Sequence, residues 1–261
     1  MELNKTYNEN CLDTMSRMPD KFIDLVVTSP PYDGLRKYNG YSFDFESIAK
    51  ELFRVSKNGG VVVWVVGDAT INGSECGTSF RQALFFPDIG FNLHDTMIFA
   101  KINPIPLTHN RYEQEFEYMF VFSKSSPNSF NPIKIESKGK IEKIKSRSKK
   151  AQKEKSYAVR HRDNPETYIN DGTKYSGNIF YYSVGNGEKT NHPAPFPEEL
   201  AKDHILSWSN ENDLIYDPFM GSGTTAKIAS LNNRNWIGSE ISKEYCDIIE
   251  KRIYNALGMF Q

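Results

Sequence analysis

Apolar residues in the first quarter of the chain follow two spacings, one typical of helices and one typical of buried strands. Their spacing over 12–18 predicts a short helix, and the mainly apolar run 23–28 predicts a strand. A second helix is predicted over 45–55, with Asn58-Gly59-Gly60 as its stop signal. The β-branched run 61–66 predicts a strand that is covered on both faces. This part of the sequence therefore alternates between helix and strand.

The same alternation continues to the end of the chain. The patterns predict a helix over 79–86, strands over 93–100 and 116–122, a helix that starts at Pro197, a strand over 214–216, a helix from Thr224, a strand over 236–239 and a last helix that includes 245–253. Alternating helices and strands are typical of an α/β fold with one parallel-rich sheet. We therefore expect the two flanks of the chain to share a single sheet.

Residues 123–191 interrupt this pattern. They are rich in Lys, Ser, Asn, Gly and Tyr and poor in periodic apolar residues. A second hydrophobic core would need more buried apolar residues than this stretch offers. The sequence therefore predicts an insertion that projects from the sheet, and not a second core domain.

Length and composition limit the class of protein. A chain of 261 residues with 38% hydrophobic residues suits one large α/β domain, or one domain with an insertion. No apolar run approaches the roughly 20 residues that span a bilayer, and the amino terminus lacks a signal-peptide pattern. Cys11, Cys76 and Cys246 form no C-x-x-C motif, which argues against a disulfide framework and a zinc site. We therefore expect a soluble, cytoplasmic protein with no membrane partner and no bound metal.

Charge is unevenly distributed along the chain. Residues 134–162 contain nine lysines and three arginines against three glutamates, a net charge of +9, so the overall charge of -1 leaves -10 for the rest. Such a basic block is typical of a protein that binds a polyanion, because each contact between a basic side chain and a phosphate releases counterions. A solvated surface loop is the alternative, since runs of like charge are often exposed loops.

Two motifs follow predicted strands near opposite ends of the chain. Ser29-Pro30-Pro31-Tyr32 comes directly after the strand 23–28, and a glycine-rich loop follows the strand 214–216. This loop and the first turn after it read Asp217-Pro218-Phe219-Met220-Gly221-Ser222-Gly223-Thr224-Thr225. Ligands bind at loops that follow the carboxyl ends of strands in an open α/β sheet. Both motifs are therefore candidates for ligand binding.

The glycine-rich loop has the features of a nucleoside site. Gly221 and Gly223 let the backbone turn sharply and approach a ligand, while Thr224 begins a helix whose amide groups point at the loop. Glu240, 19 positions after Gly221, ends the next predicted strand, where a carboxylate grips ribose hydroxyls in nucleoside-binding folds. The third glycine of the dinucleotide fingerprint is absent, so the loop makes a poor pyrophosphate cradle.

These motifs resemble the S-P-P-Y and F-x-G-x-G signatures of the amino-directed DNA methyltransferases, and the segment 115–124, E-F-E-Y-M-F-V-F-S-K, is similar to a further strand of that family. The catalytic motif precedes the cofactor motif, which is the circularly permuted order of the beta class. The resemblance covers most of the chain. It implies a Rossmann-like, S-adenosylmethionine-dependent methyltransferase sheet with an inserted DNA-recognition region. Residues 1–122 would be the catalytic half, 123–191 the target-recognition region and 192–261 the cofactor-binding half.

The resemblance also implies which residues hold the cofactor, S-adenosylmethionine. Its ribose would lie on Glu240, and Asn10 and Asp13 are alternatives for contact with its adenine, since Asn10 stands where the family often has Asp. The segment 192–197 resembles one that lies near the methionine carboxylate in the family. The methionine end would be surrounded by residues of the glycine-rich loop: Asp217, Pro218, Phe219, Gly221, Gly223 and Thr224.

The first motif suits methyl transfer to an exocyclic amino group. The nitrogen lone pair of adenine or cytosine is delocalised into the ring, so the amine is a weak nucleophile. The Ser29 hydroxyl and the Pro30 carbonyl would accept its two hydrogens and favour a tetrahedral nitrogen. Pro30 and Pro31 fix the backbone that carries these acceptors, and Tyr32 offers a flat face on which a flipped base stacks.

The predicted substrate is double-stranded DNA, held by the basic block. Ser in place of the Asp of the D-P-P-Y form is commoner among cytosine-N4 enzymes of the family, so the sequence favours cytosine N4 and keeps adenine N6 as the alternative. A cognate restriction enzyme and a homodimer remain open as further partners. The candidate DNA-binding residues are Lys149, Lys150, Lys153, Arg160 and Arg162.

Other classes of protein fit the sequence less well. Methylation of cytosine C5 needs a thiolate, normally in a Pro-Cys pair, and no cysteine here follows a proline. A nicotinamide-dependent oxidoreductase would account for Glu240 but not for the missing glycine or the basic block. Methyl transfer to a protein glutamine or an RNA guanine uses a related Asn-Pro-Pro-Tyr loop, and Ser29 and the basic insertion argue against it. The complete cofactor motif argues against a catalytically silent DNA-binding module.

Overall fold

The computed structural model of the protein describes residues 1–31, 43–104, 110–137, 143–144, 168–169, 172–184 and 197–258. The chain divides into two compact units. The main unit contains Met1–Asn131 and Asn178–Gln261, and the small unit contains Pro132–Gly177.

The strands of both units are β1 Lys5–Tyr7, β2 Ile23–Thr28, β3 Ser56–Val66, β4 Thr70–Ile71, β5 Ser74–Glu75, β6 Asn92–Lys101, β7 Phe116–Ser123, β8 Lys134–Glu136, β9 Lys143–Ile144, β10 Tyr168–Ile169, β11 Thr173–Tyr175, β12 Ile179–Tyr182, β13 Leu214–Asp217 and β14 Asn235–Ser239. The main unit contains an eight-stranded sheet in the order β1-β14-β13-β2-β3-β7-β6-β12. Neighbours pair in parallel from β1 to β3 and between β6 and β12, whereas β7 is antiparallel to both β3 and β6. The predicted parallel-rich sheet is therefore confirmed.

Helices cover the sheet in two layers. They are α1 Cys11–Ser16, α2 Phe45–Val55, α3 Thr78–Asp88, α4 Glu198–Trp208, α5 Thr224–Leu231 and α6 Lys243–Ala256. One hydrophobic core contains residues of α1, α2 and α3, and the other contains residues of α4, α5 and α6. In β2, Val26 belongs to the first core and Leu25 and Val27 to the second. Pro197, predicted as the first residue of a helix, is the residue before α4.

The centre of the sheet is the strand β3. Each residue of its 61–66 run is at most 2% exposed. The strand has a neighbour on each side and helices on both faces, so almost every side chain in the run must be apolar. The predicted burial of both faces is confirmed.

The predicted stop signal after the second helix is wrong. α2 ends at Val55 and Asn58-Gly59-Gly60 lies inside β3. The helix ends where the backbone of Ser56 becomes extended, and the Ser56 N–H and hydroxyl both donate to the Leu52 carbonyl, the hydroxyl over 2.7 Å. Gly59 has a φ of +79°, and a Cβ there would overlap the side chain of Asn128. The glycines therefore permit an irregular start to the strand and do not terminate the helix.

One strand of the main sheet lies inside the stretch that was predicted to be an insertion. β12 pairs in parallel with β6, and it belongs to the main unit. The compact small unit is accordingly narrower than 123–191. Within it, β8 pairs with β11 and β9 pairs with β10, both antiparallel.

None of the helices in the described ranges is long and apolar enough to cross a membrane. The described residues also contain no group of three or more His, Cys, Asp and Glu side chains that could hold a metal ion.

Candidate active site

Four neighbouring strands of the main sheet end at one edge, which we call the carboxyl edge. β1, β14, β13 and β2 pair in parallel in that order. Asn10 follows β1, Glu240 follows β14, the glycine-rich loop follows β13, and Ser29 follows β2. The two predicted motifs therefore lie on loops of adjacent strands, although 188 positions separate Ser29 from Asp217.

The Asp217 carboxylate lies between the two motifs and is almost fully buried, at 1% exposure. Its Oδ1 accepts hydrogen bonds from the Thr28 hydroxyl over 2.6 Å and from the Phe219 N–H over 3.0 Å. Its Oδ2 accepts one from the Thr225 hydroxyl over 2.8 Å. We call Thr28, Asp217 and Thr225 the Asp217 network. It joins the end of β2 to the start of α5.

Burial raises the pKa of Asp217 to about 6, although the hydrogen bonds from Thr28, Thr225 and the Phe219 N–H oppose the rise. The carboxyl group therefore binds its proton more tightly in the folded chain than in the unfolded chain, where its pKa is 3.8. For such a group, the contribution to stability is complete below the unfolded pKa. It is lost as the pH rises through the folded pKa.

Asp217→Asn should remove this titration. We expect the free energy of unfolding of the wild type to fall, relative to the variant, by on the order of 1–3 kcal/mol between about pH 4 and about pH 7. Urea denaturation at several pH values measures this difference. A matched control is Glu9→Gln. A hydrogen bond from Arg17 lowers the pKa of Glu9, so the stability that this carboxylate contributes should rise with pH instead of falling. If the difference in free energy of unfolding between the wild type and Asp217→Asn stays constant with pH, Asp217 does not have a raised pKa.

The Glu240 carboxylate is held by two backbone amides. The Gly221 N–H donates to its Oε2 and the Ser242 N–H to its Oε1, both over 2.8 Å. The backbone N–H of Glu240 donates to the Tyr7 carbonyl over 3.0 Å, and the Asn8 side chain donates to the Glu240 carbonyl over 2.8 Å. Burial raises the pKa of Glu240, and the two amides oppose the rise. Glu240 thus connects the glycine-rich loop to β14 and β1.

Two glycines give the loop its sharp turn. Gly221 and Gly223 have φ values of +53° and +83°, which disfavour residues with side chains. A Cβ at Gly223 would lie 2.9 Å from two side-chain carbons of Ile249 on α6. The predicted sharp turn is confirmed, but the space beside the Gly223 Cα is filled by Ile249. Gly223 therefore lets the start of α5 pack closely against α6.

Buried side chains attach the loop to the core. Pro218 and Thr224 are buried. The ring of Phe219 is edge-on to Phe43 at 5.7 Å and to Trp64 at 6.2 Å between centroids. Phe219 therefore fixes the loop to the core on the side of α1, α2 and α3.

The two candidates for adenine contact occupy different positions on α1. Asn10 caps the helix, because its side-chain oxygen accepts the Leu12 N–H over 2.9 Å. Asp13 is exposed in the first turn of the helix. Asn10 also lies nearer to the end of β1 in sequence, which makes it the better placed of the two candidates at the carboxyl edge.

The first motif is described only in part. Ser29 and Pro31 are half-buried and Pro30 is buried, directly after β2. The remaining predicted residues lie outside the described ranges: Tyr32, Lys149, Lys150, Lys153, Arg160, Arg162 and the segment 192–196.

The sequence was compared with models of protein families and with known proteins. The family model N6_N4_Mtase, described as DNA methylase, matches residues 23–251. The chain belongs to this DNA methylase family. The orphan methyltransferase M.BamHII of Bacillus amyloliquefaciens is 55% identical to this methylase over 247 residues, which are 90% of each chain.

Solved structures support the fold of the methylase. The PvuII DNA methyltransferase, described as cytosine-N4-specific, superposes with a TM-score of 0.70 over 95% of this chain and 85% of its own, at 22% identity. A complex of M1.HpyAVI with SAM superposes with a TM-score of 0.65 over 95% of this chain and 98% of its own, also at 22% identity. The predicted family and methyltransferase fold are therefore confirmed.

Enzymes of this family take their methyl group from S-adenosylmethionine. The donor set at the carboxyl edge of the methylase fits the nucleoside part of that molecule. An ionised carboxylate offers about four lone-pair sites, so Glu240 can accept ribose hydroxyls in addition to its two amide bonds. The positive-φ glycines also bring the backbone of the loop to the side of Glu240.

Thr28 and Thr225 are site residues that the sequence did not single out. Both are fully buried. Thr28 reaches Asp217 from a distant part of the sequence, and Thr225 reaches it from the adjacent helix α5. The available signal was their position, because Thr28 directly precedes Ser29 and Thr225 ends the glycine-rich motif.

Proposed function

We propose that this methylase transfers a methyl group from S-adenosylmethionine to N4 of a cytosine that is flipped out of double-stranded DNA. The observation that carries the proposal is the meeting of the two motifs at the carboxyl edge. Ser29 follows β2, the glycine-rich loop follows β13, and these strands are direct neighbours. A methyl donor bound at the glycine-rich loop and a base bound at the Ser29 motif would therefore lie close together.

The glycine-rich loop and Glu240 are the proposed cofactor site. Glu240 accepts the ribose hydroxyls, and Asn10 at the end of β1 contacts the adenine. The methionine end lies against the loop 218–224, which follows the buried Asp217. When bound, S-adenosylmethionine supplies an electrophilic methyl group on a sulfonium. The protein holds that group in place, and the other reactant must be oriented toward it.

Ser29 and Pro30 are the proposed acceptors for the amino group of the base. The Ser29 hydroxyl and the Pro30 carbonyl each accept one N–H hydrogen, which draws the nitrogen lone pair out of the ring. Pro30 is buried and has a fixed φ, and Pro31 after it restricts its ψ, so the Pro30 carbonyl keeps one direction. The methylated nitrogen then releases its extra proton to water, because the Ser29 hydroxyl and the Pro30 carbonyl accept hydrogen bonds but are too weakly basic to keep a proton. Tyr32 is proposed to stack on the flipped base.

The preference for cytosine rests on Ser29. A serine hydroxyl is a neutral acceptor, and the PvuII enzyme, with a similar fold, is described as cytosine-N4-specific. Adenine N6 remains the alternative, because the matched family includes both chemistries by name.

The proposed DNA contacts come from the insertion. The block 134–162 carries a net charge of +9, on a chain whose overall charge is -1. Contacts from Lys149, Lys150, Lys153, Arg160 and Arg162 to phosphates would hold the duplex in a sequence-independent way. We propose that 123–191 includes the target-recognition region, of which Pro132–Gly177 is the compact part.

Mass spectrometry of nucleosides tests the target base. DNA from a methylation-free host that expresses the protein, and DNA treated with the purified protein and S-adenosylmethionine, should both contain N4-methylcytosine. The matched control is DNA from the same host with an empty vector. N6-methyladenine would refute the use of Ser29 to choose the base. Neither modified base, from protein that binds S-adenosylmethionine, would refute methyl transfer to DNA.

A further inference from the structure

The backbone pairing between the two site-bearing strands ends before either loop begins. β13 and β2 are in register at Ile215 with Leu25 and at Tyr216 with Val26. Beyond these pairs, a hydrogen bond from the Thr28 hydroxyl to Asp217 Oδ1 links the carboxyl ends of the two strands directly. It lies directly before Ser29 on one side and directly before the glycine-rich loop on the other.

The hydrogen bond between Thr28 and Asp217 is suited to fixing the distance between the two strand ends. The bond measures 2.6 Å and its acceptor is a carboxylate, which gives shorter and stronger bonds than a neutral acceptor. Thr28 and Thr225 are β-branched and 0% exposed, so each side chain is restricted to few rotamers. Thr225 extends the connection to α5, where its hydroxyl is also 3.2 Å from the Val27 carbonyl. Strand β2, strand β13 and helix α5 thus meet at one carboxylate.

We infer that the Asp217 network sets the separation between the base-binding motif and the cofactor loop, with Thr28 and Thr225 as positioning residues for methyl transfer. The inference rests on the proposed function for its effect on catalysis. Asp217 then acts through its two threonines, and it contacts neither the base nor the methyl group. This role differs from the predicted place of Asp217 beside the methionine end of the cofactor.

The charge around the network is consistent with a positioning role. Among the residues that the structure describes, Cys11, Tyr216 and Glu240 are titratable groups whose pKa values are raised by burial and also by the Asp217 charge. Cys11 is on α1 and belongs to the same core as Tyr216, which precedes Asp217 on β13, and Glu240 follows β14. None of these side chains is a cation, so the Asp217 carboxylate has hydroxyl and amide partners in place of an ion pair. Its geometry is therefore set by directional hydrogen bonds.

Thr28→Val tests the network, because valine has the same shape and lacks the hydroxyl. We expect kcat to fall between about tenfold and about a hundredfold, since small misplacements of reacting groups cost that much. Affinity for S-adenosylmethionine, measured by calorimetry, should stay within about twofold, because the Thr225 and Phe219 bonds to Asp217 remain. Thr28→Ser keeps the hydroxyl and should restore kcat to within about threefold of the wild type.

Hydrogen exchange gives a readout that needs no activity. In Thr28→Val, the amides of 217–225 should exchange about tenfold faster than in the wild type. The matched control is Ser56→Ala, which removes another buried hydroxyl bond, to the Leu52 carbonyl over 2.7 Å. Ser56 is the first residue of β3 and is therefore far from the carboxyl edge of the sheet. This control should change neither kcat nor exchange over 217–225. Thr225→Val breaks the second bond of the network and should reproduce the exchange effect if Thr28→Val does not fold.

The outcomes separate this inference from the proposed function. Wild-type kcat and wild-type exchange in Thr28→Val would overturn the inference, as would equal losses of kcat in Thr28→Val and Ser56→Ala. A wild-type protein that methylates no DNA would overturn the proposed function alone. In that case the exchange of 217–225 in the two threonine variants still decides whether the network holds the loop.

Discussion

Replacing Ser29 with Ala is expected to lower kcat about a hundredfold or more, with little change in affinity for S-adenosylmethionine. The Ser29 hydroxyl is proposed to accept one hydrogen of the amino group as the nitrogen becomes tetrahedral. An interaction made mainly in the transition state contributes to kcat and not to cofactor binding. Losing one preorganised hydrogen-bonding group from such a site typically costs between about 10² and about 10³ in rate.

Single-turnover methylation of DNA measures this effect, with calorimetry for the cofactor. Ser74→Ala is a suitable control, because Ser74 is exposed on β5 and its hydroxyl bonds only weakly, over 3.2 Å, to the Glu75 carbonyl. The control should match the wild type in both measurements. Full turnover in Ser29→Ala would remove Ser29 from the mechanism. A loss of cofactor affinity as large as the loss of kcat would place Ser29 in the cofactor site.

The regular elements were predictable where the sequence pattern is strong. The runs in β2 and β3 are nearly all apolar because both faces of these strands are covered, and α2 places Ile48, Ala49 and Leu52 on one buried side. The strand β12 was missed although its sequence, Ile-Phe-Tyr-Tyr, is rich in the aromatic and β-branched residues of strands, because this run of four residues lies in a stretch that is otherwise polar. Its place in the sheet depends on pairing with β6, which is a long-range contact.

The site could be predicted as a set of motifs and not as a set of contacts. Ser29, Asp217 and Glu240 were found because they follow strand patterns at recognisable spacings. What each side chain touches depends on parts of the chain far apart in sequence, such as Thr28 with Asp217. The position of Ile249 beside Gly223 is a packing effect of the same kind. Local patterns cannot predict such contacts, because they arise only when the strands and helices pack together.

Glu240→Gln should weaken binding of S-adenosylmethionine by between about tenfold and about a hundredfold, which is the value of a hydrogen bond to a charged group. The two Glu240 oxygens each accept a backbone N–H, from Gly221 and from Ser242. A glutamine amide keeps one acceptor oxygen, and its NH₂ group would face the other N–H. The variant therefore loses one of these bonds together with acceptors for the ribose, whereas Glu240→Ala loses all of them and should bind more weakly still.

Calorimetric titration with S-adenosylmethionine over a range of pH measures both the loss and its origin. Burial raises the pKa of Glu240, and the ionised carboxylate is the form that accepts hydroxyls, so wild-type affinity should fall as the pH is lowered. Glu240→Gln should lose this dependence along with the affinity. Glu51→Gln is the matched control, because Glu51 pairs with Arg54 on α2. If both Glu240 variants bind the cofactor within about twofold of the wild type, Glu240 does not hold the ribose, and its two amide bonds only shape the glycine-rich loop.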